Sequence, residues 1–228
     1  MTLLNGTQVG GVSRRQTAQS ARAAVAEAKA ILLDWDGCIA LGDRPTEAAV
    51  RLLAQNAGRV AVVSNNTTSL PEEFSRILAR HQLEVPPELV VLAGVEALAR
   101  ASEDPARRTL VLSDPRMRAV GRRMGLELAA EGADQVVLLR DTRFSYARLG
   151  RAAAYVRDGA RLIVANPDLT HPGPGGCLVP ETGALLAGLM ACLGEVEPDL
   201  EIIGKPQARL FETACARLGV SPAAAVMI

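Results

Sequence analysis

Asp34 and Asp36 stand one residue apart in "ILLDWDGCIA" (31–40), directly after an apolar run that reads as a buried strand. Two like charges this close repel unless a cation or a proton sits between them. Two other strand-like runs end in polar groups of a complementary kind. "RVAVVSNN" (59–66) delivers Ser64, Asn65 and Asn66, followed by Thr67 and Thr68. "LEIIGKP" (200–206) delivers Gly204, Lys205 and Pro206. Ligand sites in open parallel sheets lie outside the carboxyl ends of the strands, so these three ends can share one site. A hard divalent cation such as Mg²⁺ prefers oxygen ligands and suits the carboxylates. A hydroxyl, backbone N–H groups and a lysine suit a phosphate dianion. That set is a phosphoryl-transfer site. Asp34 can attack phosphorus and form an aspartyl phosphate. Asp36 can protonate the leaving oxygen and later activate water. Mg²⁺ and Lys205 offset the charge of the transition state. Gly37 lets the backbone turn sharply, so that its amide approaches the phosphate.

The elements that must position these residues alternate between strand and helix. "AILLDW" (30–35) and "RVAVVSNN" read as strands. "TEAAVRLLAQN" (46–56) and "SLPEEFSRILARH" (69–81) read as helices, the second with Ser69 and Glu72 at capping-box spacing. Phe74, Ile77, Leu78 and His81 share one helical face, with His81 as a half-buried packing residue. The alternation predicts a parallel, doubly wound α/β sheet. From about residue 95 new strands appear at 109–115, 134–141 and 161–168, with a helical stripe of Tyr146, Leu149, Ala153 and Val156 between them. Ser113-Asp114-Pro115 reads as a helix start with Asp114 as N-cap. "THPGPGGCLVPETG" (170–183) is an irregular Gly/Pro loop before a helix at 184–193. A helix follows over 207–220, and "AAAVMI" (223–228) begins one more strand. The expected division is an N-terminal extension (1–27), a parallel-sheet core (28–94 and 200–228) and an inserted α/β domain (95–199).

The 228 residues carry 25 basic and 25 acidic side chains, and 3 % are aromatic. That balance offers no broad basic surface and few stacking groups, which argues against a nucleic-acid polymer as partner. Cys38, Cys177, Cys192 and Cys215 are scattered, which predicts reduced thiols and a cytoplasmic setting. Cys38 reads as a small core side chain. With two histidines, His81 and His171, a His-rich metal site is excluded. No apolar stretch has membrane-spanning length. Residues 13–29 are Arg- and Ala-rich and read as a solvated leading helix, with a transit peptide as the rival reading.

"DWDGCIA", "VVSNN" and "IGKP" resemble the first three motifs of the haloacid dehalogenase (HAD) superfamily of aspartate-nucleophile phosphatases. The long insertion between the second and third, with "ANPDLTHPGPGG" inside it, is similar to the class IIA-capped, nitrophenylphosphatase-like branch. The resemblance spans about residues 30–228. It implies a Rossmann-like core with a large inserted α/β cap, a Mg²⁺ cofactor and a small phosphomonoester as substrate. It also implies pairing through the cap. By the same resemblance Asp34 is nucleophile and metal ligand. Asp36 is acid/base and binds the metal, also through its backbone carbonyl. Ser64 binds the phosphoryl group with help from Asn65. Lys205 bridges nucleophile and phosphate. Asn166, Asp168 and His171 face the site from the cap; their plain alternatives are loop-capping and loop-histidine roles. The family's fourth motif, a "GD…D" stretch with further metal ligands, would follow "AAVMI", so the chain is expected to be truncated there. The rival function is accordingly a non-catalytic protein that binds a phosphorylated ligand. A dinucleotide-binding oxidoreductase fits the βα alternation but lacks a G-x-G-x-x-G turn after the first strand.

Overall fold

The computed structural model describes residues 22–228. Most of the expected leading helix, and the segment that a transit peptide would occupy, lie outside the described residues. Residues 22–27 are helical (α1). β1 (Ala30–Leu33) then opens a parallel sheet. Its four residues are all buried, as a strand covered on both faces requires. A small antiparallel hairpin, β2 (Ala40–Leu41) and β3 (Arg44–Pro45), leads to α2 (Glu47–Gln55), β4 (Val60–Ser64), α3 (Pro71–Ala79) and β5 (Val90–Leu92). β12 (Ala225–Met227) completes this sheet, whose order is β12-β1-β4-β5 with every pairing parallel.

α4 (Ala93–Ser102) leads into a second sheet. Its strands are β6 (Thr109–Leu112), β7 (Gln135–Leu138), β8 (Arg161–Val164) and β11 (Leu200–Ile202), in the order β11-β8-β7-β6, again all parallel. α5 (Pro115–Arg123), α6 (Tyr146–Arg157) and α7 (Thr182–Leu193) pack around it, and an antiparallel hairpin, β9 (Thr170–Pro172) with β10 (Leu178–Pro180), precedes α7. α8 (Arg209–Arg217) carries the chain back to β12.

Strand alternation sorts the side chains into three apolar clusters. Ile31, Leu33, Val60 and Val62 face α2 and α3, where Leu53, Phe74 and Leu78 meet them. Leu32, Ala61, Val63 and Val91 face the other way, against Ala97 and Leu98 of α4 and Leu210 and Ala214 of α8. That cluster does not stop at the first sheet. It runs on into Val111, Val137 and Ile163 of the second, so the two sheets share one core. The far face of the second sheet packs Leu112, Val136, Leu138 and Leu162 on Ala152, Val156 and Leu189.

Several local expectations shift. β11, expected in the first sheet, pairs with β8: Leu200 with Leu162, Glu201 with Ile163 and Ile202 with Val164. Glu201 is held there by Arg100 at 3.0 Å and by Arg161. α3 begins one residue later than the Ser69/Glu72 spacing indicates. Pro71 takes the first helical position, where its fixed φ and missing N–H cost nothing, and Glu73 accepts from the Leu70 N–H at 2.9 Å. His81 lies past the helix end and is exposed, and Tyr146 is 92 % exposed rather than part of the inward stripe of α6. Asp114 caps α5 as expected, accepting from Met117 N–H at 2.9 Å. Among the described residues no helix is long and apolar enough to cross a membrane.

Candidate active site

The ends of β1 and β4 lie side by side because Ile31–Leu33 register with Val60–Val62. Asp34 therefore emerges beside Val63, one residue before Ser64. Asp34 Oδ1 accepts from the Trp35 N–H at 2.8 Å and lies 2.5 Å from Lys205 Nζ. Lys205 also donates to the Val63 carbonyl at 3.2 Å. Both donors converge on Oδ1, and among the described residues none reaches Oδ2. The carboxylate is thus held by one oxygen and offers the other.

Trp35, between the two aspartates, is 3 % exposed and packs edge-on against Phe74 with ring centroids 4.5 Å apart. That anchor sends Asp34 and Asp36 to the polar side of the strand end. Asp36 keeps an exposed face, yet burial pushes its carboxyl above the ordinary range, and the charge of Asp34 pushes it the same way. Lys205 and His171 pull in the opposite sense. Cys38 is half-buried against the packed apolar face, and burial followed by the Asp34 charge raises its thiol.

Ser64 is 1 % exposed, and its Oγ accepts from Asn66 N–H at 3.1 Å, which leaves the hydroxyl hydrogen free to donate. Two expected phosphate ligands are otherwise engaged. Gly37 has the positive φ, +75°, that its turn requires, but its N–H donates to the Ala40 carbonyl at 3.0 Å. Asn65 directs its side-chain amide at Lys205 and Asp168, so neither end is free for a phosphate.

The loop after β8 reaches the same place. Asn166, 1 % exposed, donates to the Asn65 carbonyl at 2.7 Å and accepts from Asp168 N–H at 3.0 Å. His171, on β9, sets Nδ1 2.7 Å from Glu181 Oε1, out of line for an N–H···O bond. Arg140 holds that same oxygen at 3.1 Å, and its backbone N–H donates to Thr67 Oγ1 at 3.3 Å. Glu181 and Arg140 are absent from the residues singled out by sequence. A carboxylate between a Gly/Pro loop and an apolar helix is the one signal that marks Glu181.

A family model described as haloacid dehalogenase-like hydrolase matches residues 31–127. The acid sugar phosphatase of Staphylococcus aureus is 29 % identical over 205 residues, 88 % of this chain and 78 % of that protein. Among solved structures, a 4-nitrophenylphosphatase from Thermotoga maritima superposes with a TM-score of 0.78 at 27 % identity, covering 90 % of this chain and 78 % of that one. A glycerol phosphate phosphatase from Mycobacterium tuberculosis, in complex with magnesium, gives 0.77 at 28 % identity, covering 89 % and 62 %. These relatives are phosphatases, and the pattern is consistent with the class IIA branch. Over residues 31–127 the chain matches the haloacid dehalogenase-like hydrolases, and over most of its length it resembles these phosphatases.

Proposed function

We propose that the protein is a Mg²⁺-dependent phosphatase that hydrolyses a small phosphomonoester through an aspartyl phosphate on Asp34. The observation that carries this reading is the contact of Lys205 Nζ with Asp34 Oδ1, which leaves Oδ2 free to attack. Oδ2 forms a bond to phosphorus as the ester P–O bond breaks, and Asp36 gives its proton to the departing oxygen. The raised Asp36 carboxyl supports that acid role. Asp36 then takes a proton from water, whose oxygen attacks phosphorus and releases Asp34 and inorganic phosphate. Ser64 and Lys205 bind the phosphoryl oxygens and oppose their charge. Asp34 and Asp36, oxygen donors only, fit a hard cation. When bound by Asp34 and Asp36, Mg²⁺ would supply Lewis-acid neutralisation of the phosphoryl charge. The magnesium in the related glycerol phosphate phosphatase supports this choice.

In this reading the second sheet is the cap, and Asn166, Asp168 and His171 belong to the loops that form the roof of the site. The relatives' names support a sugar phosphate or glycerol phosphate as the small metabolite. The four free cysteines support a reducing, cytoplasmic setting. Exposed Leu169 and Leu178 support pairing through the cap. The test is phosphate release from nitrophenyl phosphate with Mg²⁺. Asp34→Asn is expected to lower kcat by about a thousandfold or more, as loss of a covalent nucleophile does. Near-normal turnover in that variant overturns the mechanism.

A further inference from the structure

Asn65 spends its whole side-chain amide on one residue of the site and one residue of the second sheet's loop. Oδ1 accepts from the Lys205 N–H at 2.7 Å. Nδ2 donates to the Lys205 carbonyl at 3.2 Å and to Asp168 Oδ2 at 2.9 Å. The side chain thus grips both backbone polar groups of Lys205, whose own ammonium reaches Asp34. The Asn65 carbonyl is held in turn by Asn166 Nδ2, and Asn166 Oδ1 holds the Asp168 N–H. Three segments far apart in sequence close around one amide: the end of β4, the loop after β8 and the turn after β11.

Gly204 is an independent sign of the same fit. A Cβ there would lie 2.6 Å from Asn65 Oδ1 and 2.6 Å from the Ala165 carbonyl. The glycine before Lys205 is therefore required by where Asn65 sits, not by a positive φ. A lysine side chain is long and flexible, so fixing its backbone narrows the region its ammonium can reach.

We propose that Asn65 is a positioning residue that fixes Lys205 against the end of β4 and, through Asp168, couples the lysine to the loop leaving the second sheet. Its kinetic arm rests on the phosphatase reading; its structural arm does not. The chain has two lysines, Lys29 and Lys205, so protein labelled with ¹⁵N-lysine gives two backbone amide signals. Asn65→Leu removes all three side-chain bonds. The Lys205 amide proton is expected to move upfield while Lys29 stays, and kcat/KM on nitrophenyl phosphate to fall about a hundredfold. Asn65→Asp keeps the acceptor for the Lys205 N–H but turns a carboxylate towards Asp168, and serves if the leucine variant fails to fold. Adding Asp168→Asn returns a donor to that contact and is expected to recover kcat/KM about tenfold over Asn65→Asp. An unmoved Lys205 amide with normal kcat/KM in Asn65→Leu overturns the positioning role. A double variant no better than Asn65→Asp overturns the coupling through Asp168. Wild-type protein without phosphatase activity, in which Asn65→Leu still moves the Lys205 amide, overturns the phosphatase reading and leaves the positioning role standing.

Discussion

At the scale of single residues, small side chains matter where backbone and amide groups crowd. Gly204→Ala must place a methyl against a backbone carbonyl and against an amide already fixed by Lys205. The amide cannot retreat without breaking its hydrogen bond from the Lys205 N–H. The substitution is expected to cost about 1–3 kcal/mol, the usual range for overpacking, read as a lower urea midpoint. Wild-type stability in Gly204→Ala would show that the turn relaxes freely. Asp34, Asp36 and Ser64 were legible as candidates because they follow strand runs that pair in parallel register, and Lys205 because it follows a third run, although β11 joins the other sheet. The engagements of Gly37 and Asn65 were not. Whether an N–H or an amide is free depends on partners such as Ala40 and Asp168, which the local sequence does not mark. Arg140 escaped for the same reason. Its role arises only where β7 ends beside Thr67.

At the scale of elements, α3 shows how a helix start is set by competing signals. Ser69 and Glu72 have the right spacing, but Pro71 fits best at the first helical position, and only half of a box forms, with Glu73 accepting from the Leu70 N–H. Burial opposes ionisation of Glu73, yet the Arg116 guanidinium at 2.6 Å and the Leu70 N–H together hold its carboxyl below the ordinary range. A depressed carboxyl stabilises the fold above its unfolded value, about pH 4.3, and loses that contribution as pH falls through its lower folded value. Glu73→Gln is therefore expected to cost roughly 1 kcal/mol at pH 7, after allowing for solvent screening of the half-exposed pair. The difference from wild type should shrink to nothing in acid. A gap that stays constant from pH 7 to pH 3 in denaturant titrations would exclude the charged pair as its source. β5 and α4 were missed in the sequence because Val90–Leu92 is a three-residue run that passes directly into the helix with no polar break. β11 was misplaced because a short apolar strand carries no mark of which sheet it will join.

At the scale of the whole molecule, the shared core decides how the two sheets behave. Leu98 and Ala97 of α4 lie fully buried between them, in one cluster with Leu32 and Val63 on one side and Val137 and Ile163 on the other. Arg100 on α4, Glu201 on β11, Arg161 on β8, Glu103 after α4 and Arg209 on α8 then form a continuous ion network across the same seam. Such a seam resembles the inside of a domain more than the polar, modest interfaces that let domains move independently. The two sheets should therefore unfold together. The sequence supplies probes for this: its single Trp, Trp35, sits at the end of β1, while both tyrosines, Tyr146 and Tyr155, lie on α6 of the second sheet. Tyr155 is anchored there, its hydroxyl accepting from Gly132 N–H at 2.9 Å. Trp fluorescence and Tyr absorbance should report one coincident urea transition, the test of two-state behaviour. Leu98→Ala should move both by the same amount, with a loss of about 2–5 kcal/mol for a large buried side chain. If the tyrosine transition separates from that of Trp35, or if Leu98→Ala shifts one probe alone, the seam is a hinge between independent units. A coincident shift means instead that the seam joins the two sheets into one cooperative unit, with α4 as part of both halves of its core.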